Sequence, residues 1–201
     1  CFNRFVQTFS DEDIDYSAYS VPPSPIASIY LLLQFDPNAI KDLYPKTMQL
    51  IQSILTQDFN GERFYNATIA TAIEFLCINY QLDPNSFDLS NWLPLILHRL
   101  PLKLMGNEKL SEHIYSVILS LLSNPDIVKQ YGSEILRIFA QTLGVKDKYF
   151  DKFHFQPSTY EKIIEVTKQL ISSSGATPES MKELFSNDEQ SYMRMCTRIN
   201  Q

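Results

Sequence analysis

The chain has 201 residues and only five glycines, about 2.5% where roughly 7% is usual, and none of them lie close together. Phosphate-cradling loops of the P-loop or dinucleotide type need closely spaced glycines, so that class is excluded, and a hairpin-rich β fold is disfavoured. The net charge of −6, from 17 Lys+Arg against 23 Asp+Glu, argues against a nucleic-acid partner, and no apolar run reaches the roughly 18 residues that would span a bilayer.

Residues 1–25 stand apart in composition. Ser10-Asp11-Glu12-Asp13-Ile14-Asp15 is an acid run, and Val21-Pro22-Pro23-Ser24-Pro25 forbids regular helix. The stretch reads as an acidic, proline-rich linker, partly disordered or loop, or as a loop that touches a partner. No secretory signal opens the chain, and its first residue is Cys1, which reads as a piece of a longer protein.

From Ile26 onward the pattern is helical. Helices are expected at 26–35, 38–57, 62–82, 88–101, 108–123, 125–143, 156–173, 178–186 and 188–199. Ile69, Ala70, Ile73, Leu76, Cys77 and Tyr80 fall on one face of a helix, as do Leu110, Ile114, Val117, Ile118, Leu121 and Leu122. Ile127, Val128, Tyr131, Ile135, Ile138 and Phe139 repeat the pattern, and so do Tyr160, Ile163, Ile164, Thr167, Leu170 and Ile171. Breaks come at Asp36-Pro37, Asn60-Gly61, Asp83-Pro84, Gly106-Asn107, Asn124-Pro125 and Gly144. Gly61, Gly106, Gly144 and Gly175 fall between the expected helices, where a left-handed residue costs little, whereas Gly132 lies inside a helix and costs about 1 kcal/mol relative to Ala. Pro45 and Pro94 are expected near helix starts, where a missing N–H is tolerated.

Helix pairs recur with a period in the forties, the spacing of HEAT-type repeats. One amphipathic pair cannot bury its apolar faces alone, so neighbours stack. The expectation is an all-α fold, an α-α superhelix of the HEAT-repeat solenoid type with about three to four helix pairs. Residues 26–173 form the repeats and 174–201 form C-terminal capping helices. An ordinary irregular helical bundle is the bland alternative.

The chain offers little chemistry. Cys1, Cys77 and Cys196 are too far apart for a disulfide framework, which suits a reducing compartment, and His98, His113 and His154 are isolated from one another. No spacing supports a metal site, a cofactor site or a nucleophile beside a base, so a non-enzymatic role is expected. The glycosylation triplet Asn66-Ala67-Thr68 sits in a helical pattern and reads as chance. Trp92, spaced with Leu93, Ile96, Leu97 and Leu100, reads as core. Phe150, Phe153 and Phe155 alternate with polar residues, and either fold over a groove or form an exposed aromatic patch.

Asn66-Ala67-Thr68-Ile69-Ala70-Thr71-Ala72-Ile73 followed by Asn91-Trp92-Leu93-Pro94-Leu95-Ile96-Leu97-His98-Arg99-Leu100-Pro101-Leu102 resembles the last repeats of importin-β (karyopherin-β) nuclear transport receptors. The order continues through Glu108, Tyr115, Asn124-Pro125 and Leu143-Gly144, and is most similar to the importin β3 subgroup over about residues 26–185. This resemblance implies a receptor shuttling between cytoplasm and nucleus. Its cargo would be basic proteins such as ribosomal proteins or histones, and Ran–GTP and the Phe-Gly repeats of the pore would bind mainly outside this segment. It implies no membrane insertion. The second helix of each pair should line the cargo surface, which points to Glu62, Asn66 and Glu74, then Glu108 and Glu112, then Glu161 and Glu165. Their carboxylates would steer Lys and Arg of a partner, or they simply form a solvated face. A HEAT scaffold or adaptor of phosphatase or proteasome type, with one fixed partner, is the competing reading.

Overall fold

The structure is a computed structural model that describes residues 42–57, 63–101, 108–150, 153, 155–186 and 188–200, with backbone only at 63–67, 108–110 and 148–149. The linker expected at 1–25, the helix expected at 26–35, and Gly61 and Gly106 lie outside the described residues.

Among the described residues every regular element is helical: α1 Tyr44–Thr56, α2 Arg63–Leu82, α3 Leu89–Arg99, α4 Glu108–Leu121, α5 Pro125–Gly144, α6 Asp147–Phe150, α7 Pro157–Ser174, α8 Pro178–Glu183 and α9 Glu189–Ile199. The chain divides into two units, residues 1–52 and 53–201. The described part of the first unit is the turn at 42–43 and the first turns of α1. There Thr47 is buried and its hydroxyl donates to the Leu43 carbonyl at 2.9 Å.

In residues 53–201 the helices stack in two layers. α2 packs on α4 and α4 on α7, while α3 packs on α5 and α5 on α9; the layers meet where α2 touches α3, and where α7 touches α5 and α9. We call the α2–α4–α7 row the inner layer and the α3–α5–α9 row the outer layer. The fold is thus all-α, with helices packed on one another in an α-α repeat arrangement.

Local chemistry sets the helix starts. The Asn124 side chain accepts from the Asp126 N–H at 3.0 Å and Pro125 takes the first helical position of α5. Asp88 caps α3 and Asp188 caps α9, and Thr177 forms a reciprocal capping box with Ser180 at α8. α7 ends on Gly175, the one described glycine with a left-handed backbone (φ 65°).

Packing holds what propensity would not. Pro94 lies in the middle of α3 rather than at its start, so the expected placement is corrected. An interior proline costs roughly 3 kcal/mol, because Ser90 loses its helical donor and the ring crowds the turn before it. Trp92, Leu93, Ile96 and Leu97 of the same helix are all buried, and each contributes about 1.5–3 kcal/mol, so burial outweighs the break. Trp92 is core, as its spacing suggests.

Two further expectations change. Gly144 is not in a break: it is the last residue of α5, helical and buried. A Cβ there would collide with the Phe185 ring and come within 2.9 Å of the Ser191 carbonyl of α9, so the glycine is a close-approach residue. The segment after it is not a plain loop. It contains α6, and its phenylalanines pack inward: Phe153 is buried, Phe153 and Phe155 stack with ring centres 5.2 Å apart, and both meet Tyr115 of α4 edge-on. The aromatic cluster is therefore packed over the helices.

Candidate functional site

Of the residues expected to face a partner, those that are described belong to the inner layer, and the structure separates them. Glu62 lies outside the described residues; Asn66 on α2 and Glu108 on α4 are described by backbone only. Glu161 and Glu165 of α7 are exposed, and the Glu165 carboxylate accepts from Gln169 at 3.1 Å. Lys162 and Lys168 are exposed on the same helix, so its accessible face is mixed in charge.

Glu74 does not stand on a solvated face. Its side chain is buried at 3% exposure, and its Oε1 lies 2.6 Å from Nδ1 of His113 on α4. The other ring nitrogen, Nε2, lies 2.8 Å from the Gln81 side-chain oxygen of α2. The imidazole thus bridges two turns of α2 from α4. Facing an oxygen on each side, it suits the doubly protonated form, in which both ring nitrogens donate. The hydrogen bond to Glu74 raises the His113 pKa above its ordinary value, burial works against this, and the Glu74 charge adds to the rise. A carboxylate–imidazole pair is also the core of a nucleophilic triad, but here the second nitrogen faces an amide rather than a hydroxyl or thiol. Its chemistry is that of a link between helices.

Glu112 is also engaged within the fold. α7 starts at Gln156 without a side-chain cap of its own. Glu112, reaching across from α4, accepts from the Gln156 N–H at 2.9 Å and from the Thr159 hydroxyl at 2.5 Å. A carboxylate at a helix N-terminus meets unpaired N–H groups and the positive end of the dipole, so Glu112 supplies from another helix the cap that α7 lacks. Hence two of the seven expected partner residues, Glu74 and Glu112, hold inner helices to each other.

The remaining polar chemistry is structural in the same sense. Tyr115 is fully buried on α4, and its hydroxyl lies 2.6 Å from the Thr142 hydroxyl of α5, which itself donates to the Ile138 carbonyl at 2.8 Å. Burial pushes the Cys77 thiol far above its ordinary pKa, with the Glu74 charge adding to the rise, so it is a poor nucleophile. Thr68 of the glycosylation triplet is buried within α2. Among the described residues no group of His, Cys, Asp and Glu is placed to hold a metal ion, and no helix is long and apolar enough to cross a membrane.

The sequence reading passed over four arginines. Arg99 of α3 donates through Nε to the Leu55 carbonyl at 2.7 Å and through its guanidinium to Gln57, at the end of α1. Arg137 of α5 reaches the Leu97 and Leu100 carbonyls at the end of α3, at 3.2 and 3.0 Å. From α9, Arg194 donates to the Gly144 carbonyl at 2.8 Å, and Arg198 to Leu143 and, at 2.8 Å, to Val145 at the end of α5. Each outer helix therefore closes, with a guanidinium, the C-terminal carbonyls of a helix earlier in the chain. The acceptors lie some forty to fifty-five residues upstream, so no local pattern marks them.

Comparison of the chain with protein-family models, with curated proteins and with solved structures found no match.

Proposed function

We propose that this chain is the C-terminal part of an importin-β-like nuclear import receptor, a protein-binding helical stack that contributes to holding basic cargo and to Ran-GTP-regulated passage through the pore. The observation that carries the reading is the alternation of layers. The segment that opens Asn66-Ala67 is an inner helix, the Trp92-Leu93 segment is an outer one, and Asn124-Pro125 opens the next outer helix, in the order of the resemblance. Stacked helix pairs present extended surfaces suited to a partner protein. The chain's net charge of −6 favours a lysine- and arginine-rich one.

The test uses the receptor that carries this segment, mixed with a lysine-rich ribosomal protein and with Ran loaded with GTP or GDP. The expected result is retention of the basic protein with Ran–GDP and its release with Ran–GTP, together with accumulation at the nuclear rim. Binding of one partner regardless of the Ran nucleotide would overturn the transport reading and favour a fixed scaffold.

A further inference from the structure

The two arginine closures in which α5 takes part are not equal. At the α5–α9 junction two guanidiniums act together. Arg198 is itself buried, pairs with Asp147 at 2.6 Å and stacks on the Phe150 ring at 4.1 Å, and α9 covers α5 broadly. At the α3–α5 junction the contact between helices is narrow and a single nitrogen carries the closure. Nη2 of Arg137 faces the Leu97 carbonyl at 3.2 Å, the Leu100 carbonyl at 3.0 Å and the Glu134 carboxylate at 2.6 Å. That nitrogen has two hydrogens for three acceptors, so one contact is always underserved. The shortest and only charged one is Glu134 on its own helix, and Arg137 Nε donates to the same carboxylate at 3.1 Å. The Leu97 carbonyl, for its part, already takes the Leu100 N–H at 3.2 Å.

We propose that the α3–α5 junction is the flex point of this helix stack, with the Arg137 guanidinium as a releasable clasp for which Glu134 competes against the end of α3. Releasing the clasp frees the last turn of α3 and lets the outer layer open there, while the doubly held α5–α9 junction stays closed. The inference stands on the hydrogen bonds of Arg137 and is independent of the transport reading.

Hydrogen exchange of the 201-residue chain, read by mass spectrometry over α3, α5 and α9, tests it. Arg137→Met is expected to speed exchange of the Leu97–Leu100 amides about tenfold, the loss of one charge-assisted hydrogen bond, with little change at the end of α5. Glu134→Ala is expected to act in the opposite direction and slow the same amides, because both hydrogens of Nη2 then serve α3. Should Arg137→Met fail to fold, Arg137→Lys, which keeps the charge and loses the fork, is expected to give the same local acceleration. Faster exchange at α3 in Glu134→Ala would show that Glu134 positions the guanidinium instead of contesting it, and would overturn the proposal. So would an unchanged α3 end, or equal acceleration everywhere, in both Arg137 variants.

Discussion

One substitution, glycine to alanine, should have opposite signs at two places in α5. Gly132 and Gly144 are both helical and both buried. In each case alanine gains about 0.5–1 kcal/mol by restricting the unfolded chain and favouring helix. At Gly132 the new Cβ would meet Leu170 Cδ2 of α7 at 3.5 Å and Val128 Cγ1 at 3.8 Å, which is ordinary van der Waals contact. Nothing there offsets the gain, so Gly132→Ala should stabilise by about 0.5–1 kcal/mol. At Gly144 the Cβ would overlap the Phe185 ring and sit 2.9 Å from the Ser191 carbonyl. The ring can swing aside, but the carbonyl belongs to the backbone of α9, so α9 itself must shift. Overpacking of this kind costs about 1–3 kcal/mol, and Arg194 bonds to the Gly144 carbonyl, so the shift also loosens that closure. Net destabilisation of about 1–2 kcal/mol is expected for Gly144→Ala.

Urea unfolding followed by far-ultraviolet circular dichroism measures both, and an unchanged m value shows that the same cooperative unit is being read. In a thermal scan, with about 2–4 °C per kcal/mol for a chain of this size, the midpoint rises by roughly 2 °C in one variant and falls by several degrees in the other. If both variants gain equally, helix propensity alone governs and the close approach of α9 to the end of α5 is wrong. If both lose, the loose packing of α7 over Gly132 is wrong.

Removal of the borrowed cap, Glu112→Ala, should cost about 1 kcal/mol and speed exchange of the first-turn amides of α7; adding Gln156→Asp, a local cap, should recover most of the loss in thermal melts. The raised His113 pKa gives a pH dependence with a definite sign. Stability from the protonated link is full below the unfolded histidine value of about 6.5 and is lost as pH rises through the higher folded value. The stability difference between the native chain and His113→Ala should therefore shrink as pH rises above about 6.5, and a constant difference would show that the imidazole does not titrate in this link. The Tyr115–Thr142 pair is asymmetric, since the Thr142 hydrogen is committed to the Ile138 carbonyl, which makes Tyr115 the donor. Tyr115→Phe should cost about 1 kcal/mol, whereas Thr142→Val strands a buried phenol and should cost about 1–3 kcal/mol in urea unfolding.

What the sequence disclosed was local. Asn124-Pro125 marks the start of α5 because the cap, the proline and the first turn are neighbours in the chain. Its end was misplaced because Gly144 is small for the sake of Ser191, a partner that only the fold brings near. α6 has no such local mark: besides the nearby Phe153 and Phe155, Phe150 packs against Tyr160 and Arg198 of other helices. Glu74 follows Ile73 and precedes Leu76 on a helix with an apolar stripe, and a helical wheel does not show how far α4 wraps round that stripe. Its partner His113 lies on a different helix, and the partners of Glu112 and the backbone carbonyls that the four arginines reach are just as distant in the chain.

Those partners divide by chemistry along the two layers. The described outer-layer closures join guanidiniums, whose charge is permanent, to neutral carbonyls. The inner layer is joined by carboxylates and an imidazole, at Glu74–His113 between α2 and α4 and at Glu112 between α4 and α7. The Glu74–His113 joint therefore loosens as pH rises through the raised His113 pKa. For a basic partner this has a direct consequence. The carboxylates of Glu74 and Glu112 are already committed to other helices, so of the expected partner residues with described side chains Glu161 and Glu165 are left to attract it, with Lys162 and Lys168 beside them. Exposed charges of mixed sign give weak steering that salt screens within about 8–10 Å, so replacing both by Gln should lower the association rate for a lysine-rich partner only modestly. A loss of binding at high salt in that variant would mean that α7 makes direct contact instead of steering from a distance.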